Sequence, residues 1–105
     1  MTTQNEKINL ERCPTEELLK LFSGKWKPWI LRLAVESPLR FNTLLHQLHG
    51  SNKQSVAAAL KELVEAGLLV KTVVKLKPLH IEYCLSEKGR AIISVFKDLE
   101  GLLGE

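Results

Sequence analysis

Five side chains in one stretch of the chain have the types and the spacing to touch nucleic-acid bases. Lys53, Gln54, Ala57, Ala58 and Lys61 recur at the three-to-four-residue interval that gathers them on one side of a helix. Gln can pair bidentately with adenine, and Lys can donate to guanine or to a phosphate. Ala can meet a thymine methyl, and its small size lets a helix approach a groove floor. The other side of the same stretch, Val56, Leu60, Leu63 and Val64, is apolar. An ordinary amphipathic helix would show the same pattern, with alanines for propensity and lysines for solubility. The flanking segments therefore decide between the two.

Downstream, residues Leu68 to Leu85 carry Lys71, Lys75, Lys77 and His80 against a single acidic residue, Glu82. Lysines on a protruding ribbon can neutralise phosphates. They also deter sheet pairing at an exposed edge, and one ribbon can do both. Upstream, the chain predicts a helix from Asn42 to Leu48 and a tight turn from His49 to Ser51. A second helix, Asn52 to Ala66, then carries the five residues above. A helix-turn-helix followed by a basic two-stranded ribbon is a winged helix. Its second helix can enter a DNA major groove while the ribbon touches the flanking backbone. The expected contacts to double-stranded promoter DNA are Arg40, Asn52, Lys53, Gln54, Ala57, Lys61, Lys71, Lys75 and Lys77.

A different chemistry is possible at Cys13. It stands immediately before Pro14 at a predicted helix start, with Arg12 beside it. Free backbone N–H groups and the guanidinium favour thiolate chemistry there, making Cys13 a candidate redox sensor. The alternative is an unreactive thiol next to a cap. Cys84 falls in mid-strand, where packing is the expected role. His46 and His49 are three apart, but no third ligand lies at a useful spacing, so no metal site is expected. Gly24-Lys25-Trp26 lacks the glycine spacing and hydroxyl of a phosphate loop. No serine, histidine and carboxylate constellation stands out, and neither an enzyme nor a cofactor is expected.

These residues need a scaffold, and the periodicity supplies one. Residues 1 to 12 are polar and mixed in charge, as in a flexible arm. A first helix starts at Pro14, carries Leu18, Leu19, Leu21 and Phe22, and stops at Ser23-Gly24. The next spans Trp26 to Val35, with Trp26, Trp29, Ile30, Leu33 and Ala34 as its apolar positions. Pro28 is tolerable there only in the first turn. Asn42 is the expected cap of the third helix, with Leu44, Leu45 and Leu48 facing inward, and Asn52 that of the fourth. Gly67 stops the fourth helix. Leu69 to Lys75 alternates imperfectly, Lys77-Pro78 makes a tip, and Ile81, Tyr83 and Leu85 alternate with His80, Glu82 and Cys84. Ser86 caps a last helix reaching about Leu103. The fold class is thus mainly α with a small β-wing, in the order four helices, two strands, one helix.

That last helix bears Ile92, Ile93, Val95, Phe96, Leu99, Leu102 and Leu103, a stripe too wide for one small domain to cover. A homodimer is expected, joined through Leu18, Phe22, Ile92, Phe96, Leu99 and Leu103, with residues 86–105 as the dimerisation helix and 13–105 as one domain. The bulk numbers agree. The 105 residues make one domain, and 45% hydrophobic content makes one core. A net charge of +3 with a sequence pI near 9.0 is only a mild bias toward polyanions. No run reaches the roughly 20 apolar residues of a membrane span, and no apolar signal region follows Met1. With two cysteines expected to be reduced, the reading is a cytoplasmic protein without membrane partners.

In this order and spacing the chain resembles the HxlR-type winged helix-turn-helix transcriptional regulators, relatives of the MarR group. The resemblance runs from Cys13 to about Phe96. It rests on Cys13-Pro14, Gly24-Lys25-Trp26, Ile30-Leu31, Arg40-Phe41-Asn42, Leu60-Lys61-Glu62-Leu63, Gly67-Leu68, Ile81-Glu82-Tyr83, Leu85-Ser86 and Gly89-Arg90. It implies homodimers joined through the terminal helices and bound to palindromic promoter sites. It also implies, for some members, sensing of oxidants or electrophiles by the cysteine at the position of Cys13. The chain departs from the family at the turn, where Ser51 replaces an anchoring isoleucine. Lys71 stands for the usual arginine of the wing, Pro28 for an apolar residue, and Cys84 is an additional thiol. The competing reading is a winged-helix module that binds protein without DNA.

Overall fold

The computed structural model describes residues 13–104. The expected arm, with Arg12, lies outside the described residues. Prolines set the first two helices. Pro14 opens α1 (Pro14–Leu21), and Pro28 falls in the first turn of α2 (Lys27–Ala34), where its missing N–H leaves no bond unmade. Trp26 is the residue before α2 rather than its first turn, half-buried against the core with the Lys25 Nζ 4.9 Å from its ring centre.

Helix α3 (Phe41–Gln47) begins one residue earlier than expected. Its cap is Arg40, in extended conformation and without a side-chain hydrogen bond, so Asn42 is not the cap. Backbone pairing explains the shift. Leu39 exchanges hydrogen bonds of 2.8 and 2.9 Å with Tyr83, which holds the chain extended up to Arg40. Helix α4 (Lys53–Glu65) is capped by Asn52 as expected: its Oδ1 accepts from the Ser55 N–H at 2.8 Å, and the Asn52 N–H donates to Ser55 Oγ at 3.1 Å. Beyond Ala66, Gly67 takes φ +80°. Its N–H and that of Leu68 return to the carbonyls of Val64 and Leu63, a left-handed closure that a residue with a Cβ adopts only under strain.

Strands β1 (Leu69–Leu76) and β2 (Leu79–Leu85) pair antiparallel around Lys77-Pro78, and α5 (Glu87–Leu102) follows. A bulge between Val73 and Lys75 explains the imperfect alternation of β1. The core lies between α2, α3, α4 and the base of the ribbon. Ile30, Leu44, Val56, Leu60, Leu63 and Leu68 are almost wholly buried there, each stabilising by about 1.5–3 kcal/mol. Leu31 belongs to this core, whereas Trp29, expected inside, is 54% exposed. The contacts of α2 run to α4 and β2 as well as α5, and these place Leu31 inside and leave the Trp29 face uncovered.

The base of α5 is fastened to the end of α4. Ser86 Oγ donates to the Gly67 carbonyl at 2.5 Å and accepts from the Gly89 N–H at 2.9 Å, while Lys88 Nζ donates to the Ala66 carbonyl at 3.2 Å. Gly89 is the buried residue of α5, and a Cβ there would stand 2.3 Å from the Leu68 carbonyl oxygen. Helix α5 approaches the Leu68 backbone, between α4 and β1, this closely because the position is glycine.

Candidate nucleic-acid interface

Helix α4 divides as its spacing predicts. Val56, Ala59, Leu60 and Leu63 are buried, and Lys53, Gln54, Ala57, Ala58 and Lys61 are exposed on the other side. Over that outward face, Lys53 to Lys61 spans about 12 Å of helix axis and contains no carboxylate. Asn52 is exposed too, but its Oδ1 is engaged by the cap. The helix is held from behind by an ion pair between Lys27 and Glu62, which joins it to α2. Nothing in the periodicity of either helix announces that pair.

The turn ahead of α4 is held by Ser51, where the resemblance implies an isoleucine. Its N–H and its hydroxyl both donate to the Leu48 carbonyl, at 3.0 and 2.6 Å, and Leu48 is buried. Hydrogen bonds thus replace the apolar anchor, and the helix-turn-helix closes without it.

The ribbon brings Lys71, Lys75 and Lys77 into solvent. Lys71 stands opposite Tyr83, and Lys75 opposite His80. Glu82, the ribbon's acidic residue, has its carboxylate 3.0 Å from His80 Nε2, although the pair lacks hydrogen-bond alignment. Arg40, exposed at the head of α3, shares a groove of about 310 Å³ with Asn42, Thr43, Leu79 and Ile81. The single Leu39–Tyr83 bridge sets Arg40 beside the wing; one bridged residue leaves no alternation to read from sequence.

Cys13 is exposed and free, in extended conformation as the cap residue of α1, whose first turn also carries Glu16 and Glu17. Cys84 is a free thiol partly covered in β2. Of the residues expected between subunits, Leu18, Leu99 and Leu103 are exposed. Phe22 and Ile92 pack against the core, and Phe22 meets Phe96 edge-on with ring centres 4.6 Å apart, so these three also serve the single chain. A cleft of about 330 Å³ separates α2 from α5, walled by Trp29, Val35, Ile93 and Phe96 and crossed by Arg32 and Glu100 at 4.0 Å. Among the described residues no group of three or more His, Cys, Asp or Glu could hold a metal ion, and no helix is long and apolar enough to cross a membrane.

With this geometry in view, comparison with known proteins is consistent from end to end. The HxlR-like helix-turn-helix family model matches residues 21–104. The HTH-type transcriptional regulator YdzF of Bacillus subtilis is 32% identical over 96 residues, 90% of this chain and 88% of YdzF. The reduced form of the transcriptional regulator YodB from B. subtilis superposes with a TM-score of 0.75 at 26% identity, over 86% of this chain and 89% of that one. The redox regulator HypR in its reduced form gives 0.76 at 25% identity, over 85% and 88%. YodB is also known in diamide-treated and quinone-bound forms, and HypR in an oxidised form. These relatives are transcriptional regulators, not enzymes. Five helices and one hairpin in winged-helix order among the described residues, with the matches covering the helix-turn-helix, the wing and the last helix together, make this chain a member of the HxlR-like helix-turn-helix family.

Proposed function

We propose that this protein is a sequence-specific, double-stranded-DNA-binding regulator of transcription. It acts in the cytoplasm as a homodimer on a palindromic promoter site and responds to thiol oxidation through Cys13. The observation that carries the reading is the outward face of α4: Lys53, Gln54, Ala57 and Lys61, exposed together, free of carboxylates, and flanked by a ribbon bearing three exposed lysines. Gln54 and the alanines suit base edges, and Lys71, Lys75, Lys77 and Arg40 suit the phosphates on either side.

Two observations support the homodimer. Helix α1 buries none of its residues and α5 only Gly89, yet both carry large apolar side chains. Leu18, Leu19, Val95, Leu99, Leu102 and Leu103 are all about half exposed or more. A second copy would cover them and set two α4 helices one DNA turn apart, about 34–36 Å.

The thiol response has a mechanical route. Cys13 heads α1, and the end of α1 packs through Phe22 on Phe96 of α5. The base of α5 is hydrogen-bonded to the end of α4. Modification of Cys13 would tilt α1, and the tilt would pass through α5 to the spacing of the two recognition helices. Likeness to YodB and HypR supports this part of the reading.

The deciding experiment is selection of duplexes from a randomised pool, followed by salt-titrated binding. The expected result is an enriched palindrome with half-site centres about 10–10.5 base pairs apart. Its affinity should fall with salt in proportion to the phosphates neutralised, a log–log slope of about −0.9 for each. Equal retention of all sequences, or of none, would overturn the proposal.

A further inference from the structure

The tip of the ribbon is apolar where an exposed ribbon is ordinarily polar. Leu76 is 76% and Leu79 60% exposed, and Val73 and Val74 are 51% exposed. An unpaired hairpin end with this composition invites aggregation unless something covers it. The bulge arranges the patch. Opposed residues of an antiparallel pair share a face, so the ladder alternates Leu69–Leu85, Lys71–Tyr83 and Val73–Ile81 on one face with Val70–Cys84 and Thr72–Glu82 on the other. The extra residue, Val74, puts Lys75 with His80 on the second face and returns Leu76 and Leu79 to the first. Without the bulge, Leu76 would lie with Thr72 and Val70. With it, Leu76 and Leu79 join Val73 and Ile81 on one face, an apolar patch that begins beyond the Lys71–Tyr83 pair and ends at the tip, roughly 10 Å along the strand.

Charge identifies the occupant. Lys75 and Lys77 flank Leu76, and Leu79 and Ile81 share their groove with Arg40. The one acidic side chain of the ribbon is set beside His80. An apolar tip ringed by cations fits a polyanion with an apolar interior, which describes duplex DNA between its phosphates. Two strands about 4.8 Å apart, with leucines projecting, do not enter a minor groove about 6 Å wide unless the groove opens.

We propose that Leu76 and Leu79 form an apolar wedge that opens the minor groove beside the bound major groove, so that this protein selects flanking DNA by how readily a base step unstacks. The inference rests on the DNA-binding reading above and adds a determinant that makes no hydrogen bond to a base. Apolar side chains inserted at a step partly unstack it, and pyrimidine–purine steps yield most easily. Flexible TA or CA steps are therefore favoured under the wing tip, and stiff A-tracts are disfavoured.

The test uses a duplex selected by the wild-type chain, with 2-aminopurine at the flanking step. It compares wild type, the L76S/L79S double variant and Lys75→Ala. Both leucines are exposed, so their replacement leaves no cavity. With wild type, 2-aminopurine fluorescence rises on binding, and replacing the flexible step by an A-tract weakens binding about ten-fold, the scale of one lost specific contact. The double variant loses the fluorescence rise and the flanking preference while its salt slope stays the same. Lys75→Ala keeps both and lowers the slope by about one. A wild type that binds its duplex with the reporter still stacked, or a double variant that behaves as wild type, overturns the wedge and leaves the tip as a protein-docking surface. A wild type that selects no duplex overturns the DNA reading and the wedge together.

Discussion

At the residue scale, the functional assignments differ in what each side chain does when removed. Gln54 lies on the outward face of α4, free of the core. Gln54→Ala should leave folding unchanged and relax base preference at one position of the selected duplex, at about 1–3 kcal/mol. Unchanged affinity for both selected and random DNA would remove Gln54 from the reading surface. The two thiols make an internal comparison, one exposed at the head of α1 and one partly covered in β2. Diamide should release DNA from wild type and from Cys84→Ser, and a thiol reductant should restore binding if the product is a disulfide or sulfenic acid. Cys13→Ser should stay bound throughout. If it responds as wild type does, Cys13 is structural and the inducer acts elsewhere.

At the element scale, the position of α4 is set by what grips its two ends. The Asn52–Ser55 capping box and the doubly bonded Ser51 fix its start. Ser86, Lys88 and Gly89 join its end to α5. Gly89→Ala would drive a methyl group against the Leu68 carbonyl oxygen and to 2.9 Å from Leu85 Cδ2. The backbone carbonyl cannot yield as a side chain tip can. The expected loss is about 1–3 kcal/mol, the range for overpacking a core. It would be read from the urea midpoint at unchanged m-value. DNA affinity should fall further than stability explains, because α5 would no longer seat on the Leu68 backbone that leads out of α4. A midpoint equal to wild type would show that the junction has slack. The wing obeys a similar logic: one bulged residue, Val74, decides which face Leu76 joins.

At the scale of the whole molecule, the unresolved demand is for something to cover α1 and α5. Leu99 is 48% exposed on α5, Leu103 80% at its C-terminal cap, and Leu18 47% on α1. A shared interface between two copies would satisfy all three. Sedimentation at protein concentrations on the order of ten micromolar should show a dimer. L99E/L103E should sediment as a folded monomer, since neither side chain belongs to the core. That monomer should keep contact with a half-site but lose the cooperative hold on the palindrome, because two recognition helices must be fixed about one turn apart to fit successive major grooves. A wild-type monomer at that concentration would contradict the assembly.

The sequence by itself determined the order of elements, the division of α4 into an exposed face and a buried face, the tip at Lys77-Pro78 and the caps at Asn52 and Ser86. Each of these depends on local periodicity, on a turn residue or on a cap side chain within three positions, and such terms are written into neighbouring residues. Tertiary structure decided the rest. The start of α3 moved to Phe41 because Leu39 pairs with Tyr83, a partner 44 positions away. Trp29 turned outward and Leu31 inward because α2 packs against α4 and β2 as well as α5. Phe22 and Phe96, expected between subunits, also meet each other edge-on within the chain. The groove beside Arg40 and the leucine pair at the wing tip likewise depend on a bridge and a bulge. A single-chain pattern carries the phase of each element about its own axis. It carries no record of which neighbours close on that element, and burial at these positions is a property of the neighbours.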